Sequence, residues 1–184
     1  ADISFILLIF FLITTSMDTD MGLSRRLPRP PEENQEDATM DIKSRNLLCV
    51  RLNAAGQVWV KDEMKSDYED LANLRQRVKD FVKNEQNLSK FPEKHVKNID
   101  LLGQCFVTDK HVISVQTDRG TPYSVYFEVQ NELVAAYNEL RSELAKQKFG
   151  RPYDALSDEQ KVAVRAYYPQ NISEAEPKKY GGQQ

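Results

Sequence analysis

A single acidic residue, Asp2, stands directly in front of an apolar run at residues 3–13. If that run is a helix in a lipid bilayer, an ionised carboxylate at its start costs several kcal/mol and needs a partner, water or a proton. Desolvation raises the pKa of a carboxyl group, so an acid in this place can load and release protons near neutral pH. Asp2 is therefore a candidate proton carrier. The local pattern by itself fits a helix N-cap, or a residue at the water interface, equally well.

The apolar run has three interpretations. A signal peptide would begin with basic residues and end at a small-residue cleavage site, whereas an acid follows Ala1 here. A buried helix of a globular domain would show a polar face. A membrane helix needs about 20 apolar residues, so we expect a transmembrane helix over residues 1–17 whose beginning precedes Ala1. Arg25 and Arg26, just beyond it, weakly favour a cytoplasmic side for that end.

Other chemistry-bearing residues form no recognisable constellation. The chain contains no GxGxxG, P-loop, HExxH or GxSxG motif, so we expect no enzyme, no cofactor and no metal site. His95 and His111 are interpreted as surface or strand-edge residues. Cys49 and Cys105 are too far apart for a zinc pattern; they are buried thiols or, outside the cytoplasm, one disulfide. A net charge of −3 without a basic stripe argues against nucleic-acid binding.

The chain divides into four predicted segments. After the helix, residues 18–45 form a linker, because the sequence Leu-Pro-Arg-Pro-Pro at 27–31 favours stiff, extended backbone. A folded domain follows over residues 46–172, with an irregular insertion near 84–110. Residues 173–184 are polar and predict a flexible tail.

The elements of the domain follow from local patterns. Alternation at 47–52, a turn at 53–56 and a second run at 58–60 predict a β-hairpin. The sequence Ser-Asp-Tyr-Glu at 66–69 has the form of a capping box, which predicts that a helix begins there. The sequence around 112–115 predicts a central strand. The order of strands and helices predicts an α+β domain, a short sheet with helices packed on one face.

Two further helices are predicted near the end of the domain. Thr121 is expected to cap the longer one, with Pro122 at its first position and Gly150 at its end. The apolar stripe of this helix consists of Tyr126, Val129, Leu133, Tyr137, Leu140 and Leu144. A second capping signal at 157–160 predicts a short helix that stops at Pro169.

Several stretches together resemble one family. The run DISFILLIFF at 2–11 is similar to the Asp-led helix of the ExbD/TolR family of biopolymer transport proteins, D-x-x-x-x-L-L-I-x-F. GLSRRLPRP at 22–30 is similar to its Leu-Pro segment, VRLNAAGQVWVKDEM at 50–64 to its first hairpin, and ISVQTDRGTPYSVYFEV at 113–129 to its strand, turn and helix. The resemblance covers most of 2–83 and 111–145 and is strongest to ExbD. The insertion and the region after Gly150 depart from it and suggest a Bacteroidota-like variant, in which NISEAEP at 171–177 is a candidate final strand.

The resemblance implies a specific role. It implies an inner-membrane protein with one spanning helix and a periplasmic C-terminal domain, two copies of which sit inside a pentameric ExbB-like channel. Asp2 would carry the proton, Leu27 and Pro28 would bind a partner, and a TonB-like protein would receive the energy for outer-membrane transport. Peptidoglycan is a further candidate partner. The alternative is a TolR-like envelope-integrity or peptidoglycan-binding anchored module, whose function would survive the loss of Asp2.

Overall fold

The computed structural model describes residues 3–4, 6–7 and 42–175, which belong to two units, Ala1–Thr39 and Met40–Gln184. In the first unit Ile3, Ser4, Ile6 and Leu7 are helical and their side chains are exposed. Among the described residues no helix is both long and apolar enough to cross a membrane. The rest of the predicted spanning helix, and the linker up to residue 41, lie outside the described residues.

The second unit alternates strands with helices. Its strands are β1 (Leu47–Leu52), β2 (Val58–Lys61), β3 (Ser66–Glu69), β4 (His95–Ile99), β5 (Gly103–Val107), β6 (Val112–Thr117) and β7 (Ile172–Ala175). Its α-helices are α1 (Leu71–Lys83), α2 (Tyr123–Phe149) and α3 (Asp158–Tyr167), and short 3-10 helices occupy Ser44–Asn46 and Tyr153–Ala155. The predicted α+β class is confirmed.

Five of these strands form the main sheet, in the order β3-β2-β1-β6-β7. The hairpin β1–β2 is antiparallel, as predicted, and β2–β3 continues it. The pairs β1–β6 and β6–β7 are parallel. Parallel neighbours need a long crossover connection, which α1 supplies before β6, and α2 with α3 supply before β7.

The helices pack on one face of this sheet. Leu48, Val50 and Leu52 of β1 are fully buried, whereas the residues that alternate with them are only half-buried. The buried face meets α1 through Leu74, Val78, Phe81 and Val82, and α2 through Val129, Leu133, Tyr137, Leu140 and Leu144. The predicted stripe of α2 is therefore confirmed, apart from Tyr126, which is only partly buried. The opposite face of the sheet carries no described helix, and we call it the open face.

The predicted capping box at 66–69 is wrong. These residues form β3, which pairs in register with β2, and α1 begins at Leu71 after Asp70. Glu69 makes no capping contact; its Oε2 accepts a hydrogen bond of 2.6 Å from Arg77 of α1. Four residues of strand pairing, together with this partly buried ion pair, outweigh a local pattern that fits either structure.

The predicted irregular insertion is also wrong in part. Strands β4 and β5 form an antiparallel hairpin that is a sheet of its own. Ile99, Cys105 and Val107 bury one face of the hairpin against Ala163 of α3. The insertion and the region after Gly150, which both depart from the short members of the resembled family, thus pack on each other.

The ends of the late elements differ slightly from prediction. Thr121 does not cap α2. Its hydroxyl donates a hydrogen bond of 2.8 Å to the carbonyl of Asp118, and α2 begins at Tyr123, one residue after Pro122. Gly150 ends the helix at a φ of +66°, which favours glycine. The capping box at Ser157 and Gln160 is confirmed.

The last strand corrects two further predictions. Residues 173–175 belong to β7 and not to a flexible tail, so NISEAEP does supply a final strand. Residues 176–184 lie outside the described part. Cys49 lies in β1 and Cys105 in β5, on different sheets, and no disulfide joins them.

Candidate functional site

The residues predicted to act in the membrane and the linker lie outside the described part of the chain. This holds for Asp2, Leu27 and Pro28. Within the described ranges no group of three His, Cys, Asp or Glu side chains could hold a metal ion. The candidate binding features among the described residues lie in the second unit.

The open face carries one row of aromatic and polar side chains across four strands. The strand registers place Tyr68 opposite Trp59, Trp59 opposite Arg51, and Arg51 opposite Gln116. Arg51, Trp59 and Gln116 each alternate with residues buried on the helix side, so they lie on the open face. Tyr68 joins them because residues directly opposite each other on paired strands point to the same face. Tyr68 is 67% exposed, which is unusual for a large aromatic side chain in a strand.

A shallow cavity of about 250 Å³ lies at one end of this row. We call it the aromatic cavity, and it is lined by Arg51, Asn53, Gln57, Trp59, Tyr68 and Asp118. One wall is an ion pair, in which Nη2 of Arg51 lies 3.0 Å from Oδ1 of Asp118.

The β1–β2 turn also lines the aromatic cavity, through Asn53 and Gln57. Oδ1 of Asn53 accepts from the backbone N–H of Gln57 at 2.8 Å, and its amide nitrogen donates to Oε1 of Gln57 at 2.8 Å. Gly56 holds a φ of +77° there, and a Cβ at this position would lie 3.2 Å from Val125. The cavity therefore offers flat apolar rings between fixed polar groups, an arrangement suited to binding an extended ligand.

A buried polar cluster lies on the other side of the sheet. His111 and Tyr137 are both fully buried, and the Nε2 atom of His111 lies 2.7 Å from the hydroxyl of Tyr137. Nδ1 of His111 faces the carbonyl of Thr108, so Nδ1 carries the hydrogen and Nε2 accepts from Tyr137. Burial lowers the pKa of His111 and raises that of Tyr137. The interpretation of His111 as a surface residue is therefore wrong.

The C-terminal segment is tied to this cluster by two further side chains. Asn171 donates to the carbonyls of Asp109 at 2.7 Å and His111 at 3.0 Å. Arg141 of α2 donates through Nε and Nη2 to the carbonyl of Tyr168. These bonds hold the chain between α3 and β7 against β6, and they give the cluster a structural role.

Ion pairs fix α1 against α2. Arg75 binds both carboxylate oxygens of Glu132, at 2.7 and 2.9 Å, and Lys79 lies 2.8 Å from Glu139 and from Glu143. The hydrogen bond from Lys79, followed by that from Arg75, lowers the pKa of Glu139. Exposed pairs of this kind contribute at most about 1 kcal/mol each, so they set helix spacing more than stability.

Sequence reasoning missed both the aromatic cavity and the buried cluster. The pattern at 66–69 predicts the start of a helix at Tyr68, and only the pairing of β2 with β3 brings Tyr68 opposite Trp59. His111 and Tyr137 are 26 residues apart in sequence, and no local signal links them. The alternation of β2 could have placed Trp59 on the open face.

The sequence model of the family described as Biopolymer transport protein ExbD/TolR matches residues 1–145. The chain belongs to the ExbD/TolR family. No curated protein matches it with significant similarity.

The family match delimits the part of this ExbD/TolR protein that its relatives share. The match includes Asp2, the apolar run, the strands β1 to β6 and most of α2. It ends inside α2, so α3 and β7 lie beyond it. Members of this family are biopolymer transport proteins, and the resemblance seen in the sequence is thereby confirmed at the level of the family.

Proposed function

We propose that this protein is the ExbD-like, proton-motive-force-coupled subunit of an inner-membrane motor that energises TonB-dependent outer-membrane transport. The supporting observation is that the family match begins at residue 1 and so includes Asp2 and the apolar run behind it. An ionised acid inside a spanning helix costs several kcal/mol of free energy, so its presence there indicates a function.

In this proposal Asp2 alternates between two protonation states. The charged carboxylate needs a polar partner, for which hydroxyl groups on the helices of an ExbB-like pentamer are suited. The neutral acid can pass an apolar wall. Each proton that crosses the membrane releases about 2.3 kcal/mol per 100 mV. Because two copies of the helix inside a five-fold ring have unequal surroundings, alternate protonation would drive stepwise rotation.

The linker and the folded unit would transmit this movement. The proline-rich stretch at 27–31, including Leu27 and Pro28, favours stiff backbone that can carry a rotation. A TonB-like partner can bind by adding a strand to the edge of a sheet. The edge strands of the described five-stranded sheet are β3 and β7, which makes them the proposed docking strands. The folded unit would then lie in the periplasm.

The test compares carboxylate variants in a strain that depends on this complex for siderophore uptake. We expect Asp2→Asn to co-purify with the pentameric channel protein from detergent-solubilised membranes and yet to abolish uptake, because the amide cannot release a proton. Asp2→Glu should retain partial uptake. Asp18→Asn, just beyond the apolar run, is the matched control and should behave as wild type. Normal uptake by Asp2→Asn would refute the proton role.

A TolR-like role is the second candidate, because the matched family is described jointly as ExbD/TolR. In this role the protein is an anchored module that binds peptidoglycan or an envelope partner, and its function does not depend on Asp2. The same variants separate the two. The anchored module predicts that Asp2→Asn has unchanged uptake and no detergent sensitivity. It also predicts that deletion of the whole chain makes the cells sensitive to detergent.

A further inference from the structure

We propose that the aromatic cavity binds a proline-rich segment in polyproline II conformation, namely residues 27–31 of a second copy of this chain. The supply of the segment by a second copy rests on the two-copy assembly proposed above. The first observation is the position of the cavity, on the face of the sheet that no described helix covers.

The second observation is the pairing of the two aromatic residues. Trp59 and Tyr68 lie directly opposite each other on antiparallel strands, which places their Cβ atoms about 5 Å apart. Both side chains line the same cavity, with Tyr68 67% exposed. Two aromatic side chains that flank a shallow groove on a sheet are suited to proline rings, which pack flat against them.

The third observation is the supply of hydrogen-bond donors around the rings. A polyproline II segment makes no internal hydrogen bonds, so its carbonyl groups need donors from the protein. The indole N–H of Trp59 donates to no residue of the described part of the chain. Gln57 uses its Oε1 to accept from Asn53, which leaves its amide NH₂ to donate. The cavity thus presents two donors beside two aromatic rings.

The charge at the end of the cavity identifies the segment. The carboxylate of Asp118 is 32% exposed and uses Oδ1 to bind Arg51, so Oδ2 can accept from a second guanidinium group. The segment at 27–31 places Arg29 between Pro28 and Pro30. A basic residue between prolines can therefore bind Asp118 while the prolines contact the rings.

The length of the linker permits binding between copies. Residue 31 precedes the first described residue of the second unit, Ile42, by eleven positions. The residues between them contain no proline, and a fully extended chain of this length spans at most about 38 Å, which is the width of a small domain. One copy can therefore present its segment to the open face of another. Occupancy would couple the two folded units of the assembly.

The chain contains its own reporter, because Trp59 is its single tryptophan. We would measure acrylamide quenching of Trp59 fluorescence in the full chain purified in detergent. Replacing Pro28, Pro30 and Pro31 together by alanine should raise the quenching constant about twofold, because the segment no longer covers the indole ring. The matched control, Asn34→Ala with Gln35→Ala in the same linker, should leave it unchanged. Asp2→Asn should also leave it unchanged, so failure of this proposal is distinguishable from failure of the proton role.

A peptide add-back decides the identity of the ligand. The synthetic peptide GLSRRLPRPPEE, which copies residues 22–33, should restore protection to the triple alanine variant. Its affinity should fall at least tenfold when Tyr68→Ser or Asp118→Asn is added; both side chains are at least partly exposed, so folding should survive. Equal quenching in wild type and triple variant would overturn the proposal. So would protection restored by a peptidoglycan fragment and not by the peptide, since the cavity would then be a glycan site.

Discussion

Replacing Tyr137 by phenylalanine tests the buried cluster directly. The substitution removes one oxygen atom and keeps the ring, so the packing of α2 against the sheet should be preserved. It leaves Nε2 of His111 without its donor, which lies 2.7 Å away in the native protein. His111 is fully buried, so bulk water cannot replace the lost bond.

The magnitude follows from the cost of a buried acceptor without a partner. That cost is about 1–3 kcal/mol, so we expect a loss of about 2 kcal/mol in the free energy of unfolding. For a chain of this size, 1 kcal/mol lowers Tm by about 3 °C, which predicts a fall of about 6 °C. The control is Tyr123→Phe on the same helix. Tyr123 is 75% exposed, and we expect a change within about 0.5 kcal/mol there.

Urea unfolding, followed by circular dichroism and by Trp59 fluorescence, would measure both variants. A double-mutant cycle with His111→Leu isolates the pair. When both partners are apolar neither is left unsatisfied, so the double variant should be more stable than the two single losses predict, by about 1 kcal/mol or more. The reasoning is refuted if Tyr137→Phe matches Tyr123→Phe, or if the losses simply add.

Two further outcomes are expected from the same measurements. Burial lowers the pKa of His111 below its usual 6.5, so the unfolded chain binds the proton more readily than the folded chain. The free energy of unfolding should therefore fall as the pH drops below 6.5, by up to about 1.4 kcal/mol per pH unit. This fall should persist in His95→Gln and disappear in His111→Asn, and a fall that disappears in His95→Gln instead would contradict the assignment to His111. Leu101 holds a φ of +67° in the β4–β5 turn and is 59% exposed. Leu101→Gly should therefore be about 1 kcal/mol more stable than Leu101→Ala, whereas glycine is usually the less stable of the two in regular secondary structure. If Leu101→Ala is the more stable variant, the left-handed backbone does not set stability at this position.

Elements whose signals are local were predictable. The hairpin β1–β2 was visible because alternation and a turn glycine occur within fifteen residues. Helix α2 was visible from its apolar stripe and its closing glycine, and the capping box at Ser157 from two residues three positions apart. In each case the residues that stabilise the element lie within it, so the sequence pattern and the structure contain the same information.

Elements that depend on distant partners were not predictable. The sequence at 66–69 fits a capping box and a strand, and the pairing with β2 decided between them. The hairpin β4–β5 looked irregular because it buries only one face, and the helix that covers this face, α3, follows it by about fifty residues. His111 was predicted to be a surface residue because its hydrogen-bond partner, the hydroxyl of Tyr137, belongs to the distant helix α2.

The sequence by itself determined the family of this protein, the acid in front of an apolar run, and the elements with local periodicity, since all of these depend on residue types at short spacing. The tertiary structure alone decided that β7 pairs in parallel with β6, that the insertion packs on α3, and that Trp59 and Tyr68 share one cavity. The physical reason is that strand partners and buried contacts are selected by which apolar faces can be covered together. That selection involves the whole folded unit, so no local sequence pattern within a single segment predicts it.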